Sequence, residues 1–364
     1  MKRLLCIVSA MDAGGAETFL MKVYRAIDRT QYQFDFCVNV FEKGFYDDEI
    51  ESLGGRIYRI PSKSSSFAQY QKQLSAIVRD QHYEYVFRTV ANAFGLMDLR
   101  VAKKAGASRC IARSSNASDG ESRIMKAMNV LGRILFLKYA DVKLAPSDLA
   151  AAYTFGENRY RKGEVHMLHN GLDLNRFCFD EEERARIRKE FRIPDNVKVI
   201  GHIGRFTAQK NHAFLIDIFA SLRKRTDAVL LLVGKGELEA EIRAKVESLG
   251  LSDQVLFLGI RSDVPALLSA MDCMILPSFY EGMPNTVIEA QATALPCLIS
   301  DTITKEANVT GVVRYCSLRE PADRWAQIVL DGLNQARDVK SARIMEETYR
   351  IEAVAKQFVK YVFE

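Results

Sequence analysis

Short apolar runs alternate with amphipathic stretches along most of the chain. Residues 3–10, RLLCIVSA, form an apolar run, and in residues 14–28 apolar side chains recur at the spacing of a helix. Apolar runs of strand length then recur at residues 33–41, 83–90, 108–113 and 141–147. Because helical stretches separate these runs, the alternation predicts a parallel sheet that is covered by helices.

A second series of the same kind occupies the C-terminal half. Residues 197–205 predict a strand that ends in a turn, residues 211–225 a helix, and the leucine-rich run at 228–234 a strand buried on both faces. Residues 235–250 predict a helix with Gly250 as its C-terminal cap. Further strands are predicted at 254–259, 272–278 and 296–300. The pattern therefore predicts an α/β protein with two doubly wound units.

Length and composition agree with two soluble domains. A chain of 364 residues is long for one hydrophobic core. The junction is predicted in residues 168–187, where a strand gives way to a loop and a highly charged helix. Hydrophobic residues make up 48% and charged residues 27%, which is ordinary for a globular protein. The net charge of +5 permits anionic ligands or an anionic membrane surface and does not require nucleic acid.

The N-terminal run and the cysteines indicate a cytosolic chain. MKRLLCIVSAM is short and is followed at once by Asp12, Gly14 and Gly15 without a small-residue cleavage site, so we interpret it as a buried strand and not a signal peptide. No stretch reaches the ~18–20 apolar residues of a membrane span. The seven cysteines are scattered, with no CxxC pair and no Cys/His cluster at zinc spacing. We interpret them as reduced, buried thiols.

Loops that follow strands are the candidate sites, because doubly wound sheets bind ligands beyond the carboxyl ends of their strands. Gly14 and Gly15 follow the first strand and allow a ligand to approach the backbone at a helix N-terminus. A tight turn without a ligand is the alternative. Residues 233–237, VGKGE, lack the GK[ST] of a phosphate-binding loop, and we interpret them as a turn that shapes the cleft.

Two cations lie five residues apart in the loop within residues 201–211. These are Arg205 and Lys210. At the carboxyl end of a strand such a pair suits a diphosphate, which the guanidinium binds by forked hydrogen bonds and the ammonium as a point charge. The alternative is a pair of solvated surface charges, and the position after a strand favours the functional interpretation.

The stretch FYEGMPNTVIEA has glutamates near both ends. Pro284 fits the first turn of a helix, so that Glu281 lies in the preceding loop and Glu289 on the second helical turn. Both carboxylates are then able to face one cleft, while the N–H groups of Asn285 and Thr286 point at an anion. We interpret the stretch as a phosphate site at a helix tip, with ligand hydroxyls on either side. The alternative is an acid favourable to the helix dipole and an exposed helical glutamate.

In this order the motifs resemble the family-four retaining glycosyltransferases of the GT-B fold. The resemblance covers nearly the whole chain and includes the E-x7-E pair, the basic pair, the glycine loop and the junction HNGLDLNRF at 169–177. GGAE, GRF…QKN and YEGMPN…EAQA most resemble bacterial enzymes of capsule and exopolysaccharide assembly. The resemblance implies two Rossmann-like domains that face each other across a cleft. They are an acceptor domain at 1–175 and a donor domain at 176–345, with a last helix at about 346–364 that packs back on the first.

The resemblance also implies a role for each motif residue. Arg205 and Lys210 would neutralise the donor diphosphate, Glu289 would bind the ribose hydroxyls, and Glu281 would contact the donor sugar or the adjacent phosphate. Of these, Glu281, Arg205 and Lys210 are the expected catalytic residues. Backbone at residues 259–261 would hold the base, and the Gly15 backbone would approach the phosphates. The remaining expected donor contacts are Gly204, Gly259, Ile260, Arg261, Gly282, Met283, Pro284, Asn285 and Thr286.

The chemistry implied is hexosyl or N-acetylhexosaminyl transfer from a nucleotide sugar, with UDP favoured, to a glycan or lipid-linked acceptor. No cofactor, metal or nucleic acid is expected. No DxD-type metal site is evident, so the cations of the protein would do what Mg²⁺ does in other enzymes. The family's retention is explained by attack from the same face, so Glu281 is not assumed to be a covalent nucleophile of the glycosidase kind.

The sequence departs from the family at two places. Many relatives carry a histidine in the loop that here reads ARSSNAS, so no histidine is assigned a role, and Gly14, Arg113 and Asn116 are the candidates on the acceptor side. Ala294 stands where relatives often have glycine, which is expected to matter only to packing. A structural role is the expectation for the other histidines near strand ends, His166, His169, His202 and His212.

Residues 122–140 predict an apolar helix with four basic residues, Arg123, Lys126, Arg133 and Lys138. A core helix with a basic edge and a helix lying on an anionic membrane both fit this pattern, and the core helix is favoured. With a lipid-linked acceptor, peripheral contact with the inner face of the plasma membrane would follow for an otherwise cytoplasmic protein.

Two other functions stay open at this point. A sugar-nucleotide 2-epimerase of the same architecture would need acid and base groups at the sugar and no acceptor groove. A catalytically silent sugar-nucleotide-binding scaffold is disfavoured, because the basic pair and the glutamate pair are intact. A nicotinamide dehydrogenase is least favoured, since no GxGxxG with a later ribose-binding acid is present.

Overall fold

The chain folds into two compact units in the computed structural model. The structure describes residues 1–12, 14–115, 123–333 and 337–364. The first unit comprises Met1–Gly171 and Thr348–Glu364, and the second comprises Leu172–Glu347. The boundary predicted at residue 175 lies a few residues beyond the end of the first unit.

The described residues of the first unit form a seven-stranded sheet whose paired strands are parallel. Its strands are β1 Lys2–Ile7, β2 Tyr32–Val38, β3 Ile57–Arg59, β4 Tyr85–Val90, β5 Arg109–Ser114, β6 Val142–Ala145 and β7 His166–Met167. The spatial order is β3-β2-β1-β4-β5-β6-β7. The order therefore reverses between β1 and β4, which is where such sheets bind ligands.

Helices cover both faces of this first sheet. The helices before residue 172 are α1 Gly15–Ala26, α2 Asp47–Ser52, α3 Phe67–Asp80, α4 Met97–Lys104, α5 Arg123–Phe136, α6 Asp148–Phe155 and α7 Glu157–Arg161. Tyr70 and Leu74 of α3 and Leu99 of α4 belong to the core on one face. Phe19 and Tyr24 of α1 belong to the core on the other face. Near-continuous apolar strands are what burial on both faces requires.

The second unit repeats the architecture with a six-stranded sheet, and its paired strands are again parallel among the described residues. Its strands are β8 Lys198–Ile203, β9 Ala228–Val233, β10 Val255–Gly259, β11 Cys273–Leu276, β12 Cys297–Ser300 and β13 Val313–Cys316, in the order β10-β9-β8-β11-β12-β13. Its helices are α8 Glu181–Glu190, α9 His212–Arg223, α10 Glu239–Ser248, α11 Val264–Ala270, α12 Asn285–Ala292 and α13 Ala322–Leu333. The short strands β3 and β13 were not predicted.

The last helix, α14 at Ile351–Phe363, belongs to the first unit. Phe358 of α14 packs against three aromatic rings of that unit, with ring centroids 6.3 Å from Phe19, 5.5 Å from Phe34 and 5.4 Å from Phe87. Phe358 is fully buried in this cluster. Burial of the aromatic face thus holds the end of the chain on the sheet that begins it.

Helix α5 exposes one apolar face, so the favoured interpretation of residues 122–140 as a core helix is wrong for that face, although Phe136 at the end of the helix is buried in the core. Asn129 is buried and receives a hydrogen bond from the Ala93 amide, with an N···O distance of 2.7 Å. At Gly132 a Cβ atom would lie 2.3 Å from the Phe94 amide nitrogen, so only glycine permits this approach. The opposite face carries five exposed apolar residues, Ile124, Val130, Leu131, Ile134 and Leu135.

Helices α10 and α12 of the second unit end in the same left-handed cap. After α10, Gly250 has a φ of +66°, and the Leu251 amide donates to the Val246 carbonyl. After α12, Ala294 has a φ of +52°, and the amide of the next residue again bonds back into the last helical turn. The expectation that Ala294 affects only packing is therefore wrong, because its backbone adopts a conformation that glycine favours.

We expect Gly250→Ala to lower the free energy of unfolding of the second unit by about 1 kcal/mol, through the left-handed backbone alone. A Cβ at Gly250 would meet no atom within 4 Å, so steric overlap does not contribute. Urea unfolding of the two variants Gly250→Ala and Gly250→Asn measures the effect. Asparagine tolerates this conformation and should lose less stability, and equal losses would contradict the explanation.

Candidate active site

The candidate site lies where the strand order of the second sheet reverses. Strands β8 and β11 are neighbours in this sheet, and Gly201 of β8 pairs with Met274 of β11. The loops that follow them, residues 204–211 and 277–284, leave the same edge of the sheet. The basic pair predicted from the sequence lies in the first loop and Glu281 in the second. Tertiary structure therefore brings both predicted motifs to one switch point.

Lys210 and Glu281 form an ion pair within this site. The Lys210 Nζ atom lies 2.6 Å from Glu281 Oε1. Their side chains are only 17% and 10% exposed, so the pair is largely withdrawn from solvent. The guanidinium of Arg205, in contrast, belongs to an exposed residue and makes no ion pair with any residue that the structure describes. The site thus has one cation held by a carboxylate and one open to solvent.

Gln209 joins the two loops and was missed by sequence reasoning. Its carbonyl oxygen accepts a hydrogen bond from the Phe279 amide at 2.9 Å. Its side-chain Nε2 donates to the Tyr280 carbonyl at 2.8 Å and to Glu281 Oε2 at 3.4 Å. These contacts place the Glu281 carboxylate beside Lys210. The sequence signal for Gln209 is its place in the motif GRF…QKN, in which no role was predicted for this residue.

Helix α12 begins beside the same loop. Pro284 is the N-terminal cap, with φ −75° and ψ 95°, so it precedes the helix and does not occupy the predicted first turn. Asn285 is the first helical residue, and Glu289 lies one turn further on. The Thr286 Oγ1 atom is buried and has no hydrogen-bond partner among the described residues. The preceding residues Gly282 and Met283 are half-buried in the loop.

The end of β10 carries the backbone predicted to hold the base. Gly259 has a φ of +63°, and its carbonyl accepts a hydrogen bond from the Gly234 amide at 2.8 Å. Ile260 is exposed. The Arg261 guanidinium is 2.7 Å from Asp263 Oδ2, and this hydrogen bond raises the pKa of Arg261 above its usual value. The Arg261 side chain is therefore engaged within its own loop, which leaves the backbone of the segment to meet a ligand.

The VGKGE turn at residues 233–237 packs against the loop at residues 204–211 and fixes its backbone. A Cβ atom on Gly234 would lie 2.1 Å from the Gly204 carbonyl oxygen, and Gly234 has a φ of +138°. The amide of Phe206 donates to the Lys235 carbonyl at 3.1 Å. Phe206 is buried and its ring stacks on His212 with centroids 4.1 Å apart. These contacts fix the backbone on either side of Arg205.

The acceptor-side predictions fall in the first unit. Gly14 is the N-terminal cap of α1 and Gly15 its first residue, as the glycine loop predicted. Arg113 is 2% exposed, donates to Asn170 Oδ1 at 2.7 Å and lies 3.6 Å from the Phe19 ring centroid. The structure therefore places Arg113 in the core, against its predicted position on the acceptor side. Asn116 lies outside the described residues.

The histidines near strand ends differ in their surroundings. His169 stacks on Tyr349 with centroids 4.7 Å apart, and His166 stacks on Tyr361 at 4.6 Å. His202 and His212 are buried next to the candidate site with centroids 4.5 Å apart. Burial lowers the pKa of His212 to about 4, so this ring is neutral near pH 7. Of the described residues, no three His, Cys, Asp or Glu are grouped so as to hold a metal ion.

Comparison with known proteins identifies one sequence family. Residues 183–337 match the family described as Glycosyl transferases group 1. The protein named glycosyltransferase EpsF of Bacillus subtilis (strain 168) is 35% identical over 339 residues, which cover 90% of this chain and 87% of that protein. Capsular polysaccharide biosynthesis glycosyltransferase CapH of Staphylococcus aureus is 23% identical over 80% of this chain and 79% of its own.

Solved structures show the same fold over the whole chain. The crystal structure of Anabaena HepE in complex with UDP matches with a TM-score of 0.79 and 17% identity, and 99% of each chain is covered. At this identity the likeness concerns the fold alone. It confirms the predicted GT-B fold, with two α/β units that each contain a parallel sheet.

We expect the Lys210–Glu281 pair to show strong coupling in stability. Lys210→Met leaves a largely buried carboxylate without its cation and should lower the free energy of unfolding by about 3 kcal/mol. The double variant Lys210→Met/Glu281→Gln removes both charges and should lose less than the sum of the single losses. Urea unfolding of the four proteins measures the coupling. Additive losses would show that the two charges do not interact.

Proposed function

The chain belongs to the group 1 glycosyl transferases, and on that premise we propose that it transfers a sugar from a UDP-sugar to a glycan or lipid-linked acceptor. The observation that carries the proposal is the convergence of Arg205, Lys210, Glu281 and the start of α12 at one switch point. UDP is favoured because the structurally similar HepE was crystallised with UDP. Polysaccharide assembly is favoured because CapH is named for capsule biosynthesis.

The proposed chemistry depends on charge stabilisation at the leaving diphosphate. As the glycosidic C–O bond breaks, negative charge develops on the phosphate oxygens. Arg205 is exposed and able to bind those oxygens bidentately, and Lys210 of the same loop offers further N–H donors. The N–H groups at the start of α12 add a favourable dipole. We propose that these groups supply the stabilisation without a metal ion or other cofactor.

The ion pair bears on the role of Glu281. A carboxylate whose Oε1 atom lies 2.6 Å from an ammonium is a weakened nucleophile. This disfavours a covalent glycosyl–enzyme, and we propose a retaining transfer by attack from the same face, in which the leaving phosphate takes the acceptor proton. Glu281 then orients Lys210 and the donor. Glu289, one turn into α12, accepts hydrogen bonds from the ribose hydroxyls.

We further propose that α5 binds an anionic membrane surface and brings the enzyme to a lipid-linked acceptor at the cytoplasmic face. Ile124 and Ile134 are 73% and 71% exposed, and they share the outer face of the helix with three other apolar residues. Lys126 lies on α5 and Lys138 lies just after it, and both are exposed. An apolar face flanked by cations is typical of a helix in the membrane interface. No helix among the described residues is long and apolar enough to cross a membrane.

The nucleotide-sugar assignment is tested by thermal unfolding with a panel of nucleotides and sugar nucleotides. A ligand at 100 times its dissociation constant should add ~2.7 kcal/mol of stability. The expected result is stabilisation by UDP and one or more UDP-sugars, and a flat response to the whole panel would contradict the proposal. Release of an epimerised sugar nucleotide without acceptor would favour a 2-epimerase instead.

Arg205→Ala should lower kcat by about 10²–10³-fold, because a donor to the developing charge is lost. The matched control is Arg243→Ala on α10, whose guanidinium is paired with Glu239 at 2.7 Å on the outside of the unit. Initial rates with saturating UDP-sugar and acceptor measure both variants. A loss at Arg205 no larger than at Arg243 would exclude Arg205 from the reaction.

Ile134→Glu should weaken binding to vesicles of phosphatidylglycerol and phosphatidylcholine at least tenfold, since burial of one isoleucine contributes about 1.5–3 kcal/mol. Ile344→Glu is the control, because Ile344 is similarly exposed but lies in the second unit. Flotation with both variants and the wild type measures binding. Equal flotation of Ile134→Glu and wild type, or no flotation of the wild type, would contradict the membrane role of α5.

A further inference from the structure

His202 is a buried side chain with one unused hydrogen-bonding atom beside the candidate site. It is fully buried near the end of β8. Its Nδ1 atom lies 2.8 Å from the Ile275 carbonyl oxygen of β11. Because a carbonyl only accepts, Nδ1 carries the hydrogen, and Nε2 of the neutral ring has a free lone pair. That Nε2 atom is buried and has no partner among the described residues.

The unused Nε2 atom and the stem of Lys210 both lie next to Gly204. A Cβ atom built on Gly204 would lie 3.0 Å from His202 Nε2 and 3.3 Å from both Cδ and Cε of Lys210. The imidazole and the lysine stem therefore both lie close to one point beside Gly204, where a Cβ atom would be tightly packed. The Lys210 Nζ atom is one bond beyond Cε. Rotation about the last side-chain bonds would turn this ammonium away from Glu281.

The surroundings keep the His202 ring uncharged, and only an uncharged ring can accept a hydrogen bond from an ammonium. Burial is the main cause that lowers the pKa of His202 well below its usual value, and His212 of α9 and Lys210 of the loop lower it further. From β11 the group that faces the ring is the Ile275 carbonyl. A second positive charge at this position would repel the Lys210 ammonium.

We propose that His202 is a positioning residue whose Nε2 atom accepts a hydrogen bond from the Lys210 ammonium when a donor diphosphate binds. The ammonium has three N–H donors. In the structure one is directed to Glu281 Oε1. With ligand bound, the phosphate takes one donor and His202 another, while Glu281 turns toward the ligand. This inference rests on the proposed function, because it requires a diphosphate at Lys210.

Two substitutions test the two ring nitrogens of His202 separately. In His202→Asn the amide nitrogen replaces Nδ1 and keeps the bond to Ile275, and in His202→Gln the amide oxygen replaces Nε2. We expect His202→Gln to bind UDP within threefold of wild type and His202→Asn to bind it about tenfold more weakly, measured by calorimetry. Thermal unfolding of each variant reports whether it is folded. Tighter UDP binding by His202→Asn than by His202→Gln would overturn the proposal.

Coupling to Lys210 distinguishes positioning from general support of the fold. In a Lys210→Met background, His202→Asn should change the UDP dissociation constant by less than twofold, because the ammonium that uses Nε2 is gone. An undiminished tenfold effect in that background would overturn the proposal.

A spectroscopic measurement on the wild-type protein needs no variant to fold. With ¹⁵N-labelled histidine, the His202 Nε2 resonance should move upfield when UDP is added, as an unprotonated imidazole nitrogen does on accepting a hydrogen bond. UDP binding that leaves Nε2 unchanged would contradict the role of His202 alone. Absence of UDP binding to the wild-type protein would contradict the proposed function itself.

Discussion

The pairing of Lys210 with Glu281 is the interaction on which the candidate site depends. The two residues lie in different loops of the second unit, and their charged atoms meet at 2.6 Å in a largely buried setting. Each charge is tolerable there because the other is present, since an isolated buried charge is strongly unfavourable. The pair therefore fixes both loops as well as both side chains. Gln209 strengthens the junction, because its backbone and its side chain bond to the second loop.

The loop that carries Arg205 and Lys210 is also fixed by uncharged contacts with the VGKGE turn. The Gly204 carbonyl and the Cα atom of Gly234 approach so closely that no side chain fits between them. Phe206, which lies between Arg205 and Lys210 in the sequence, is buried and stacks on His212. A cation on a rigid backbone loses little conformational entropy when it binds an anion. The apolar and glycine contacts thus fix the backbone of the exposed Arg205, which would favour the phosphate binding proposed for this residue.

The sequence predicted the strands and the motif loops because their signals are local. A strand buried on both faces reads as a continuous apolar run, as β9 does, whereas β3 is short and half-buried and gave no such run. Gln209 and His202 depend on contacts with residues more than 70 positions away, which no local pattern reports. The apolar pattern of α5 was recognised from the sequence, but its apolar face was expected to pack in the core, whereas the structure exposes it. Asn129 and Gly132 face inward because they fit close backbone contacts, a fact of tertiary packing.

On the proposed function, the arrangement explains why a site for a dianionic diphosphate would contain a carboxylate in contact with its lysine. Without Glu281, an unpaired ammonium in this largely buried position would be disfavoured in the empty enzyme. With it, the ammonium is held in place and needs only a small rotation to meet a phosphate. The diphosphate must then compete with Glu281 for the lysine, which weakens ground-state binding. Charge that grows on the leaving group during bond cleavage tips this competition toward the phosphate, so the same carboxylate that limits donor affinity favours the transition state over the bound substrate.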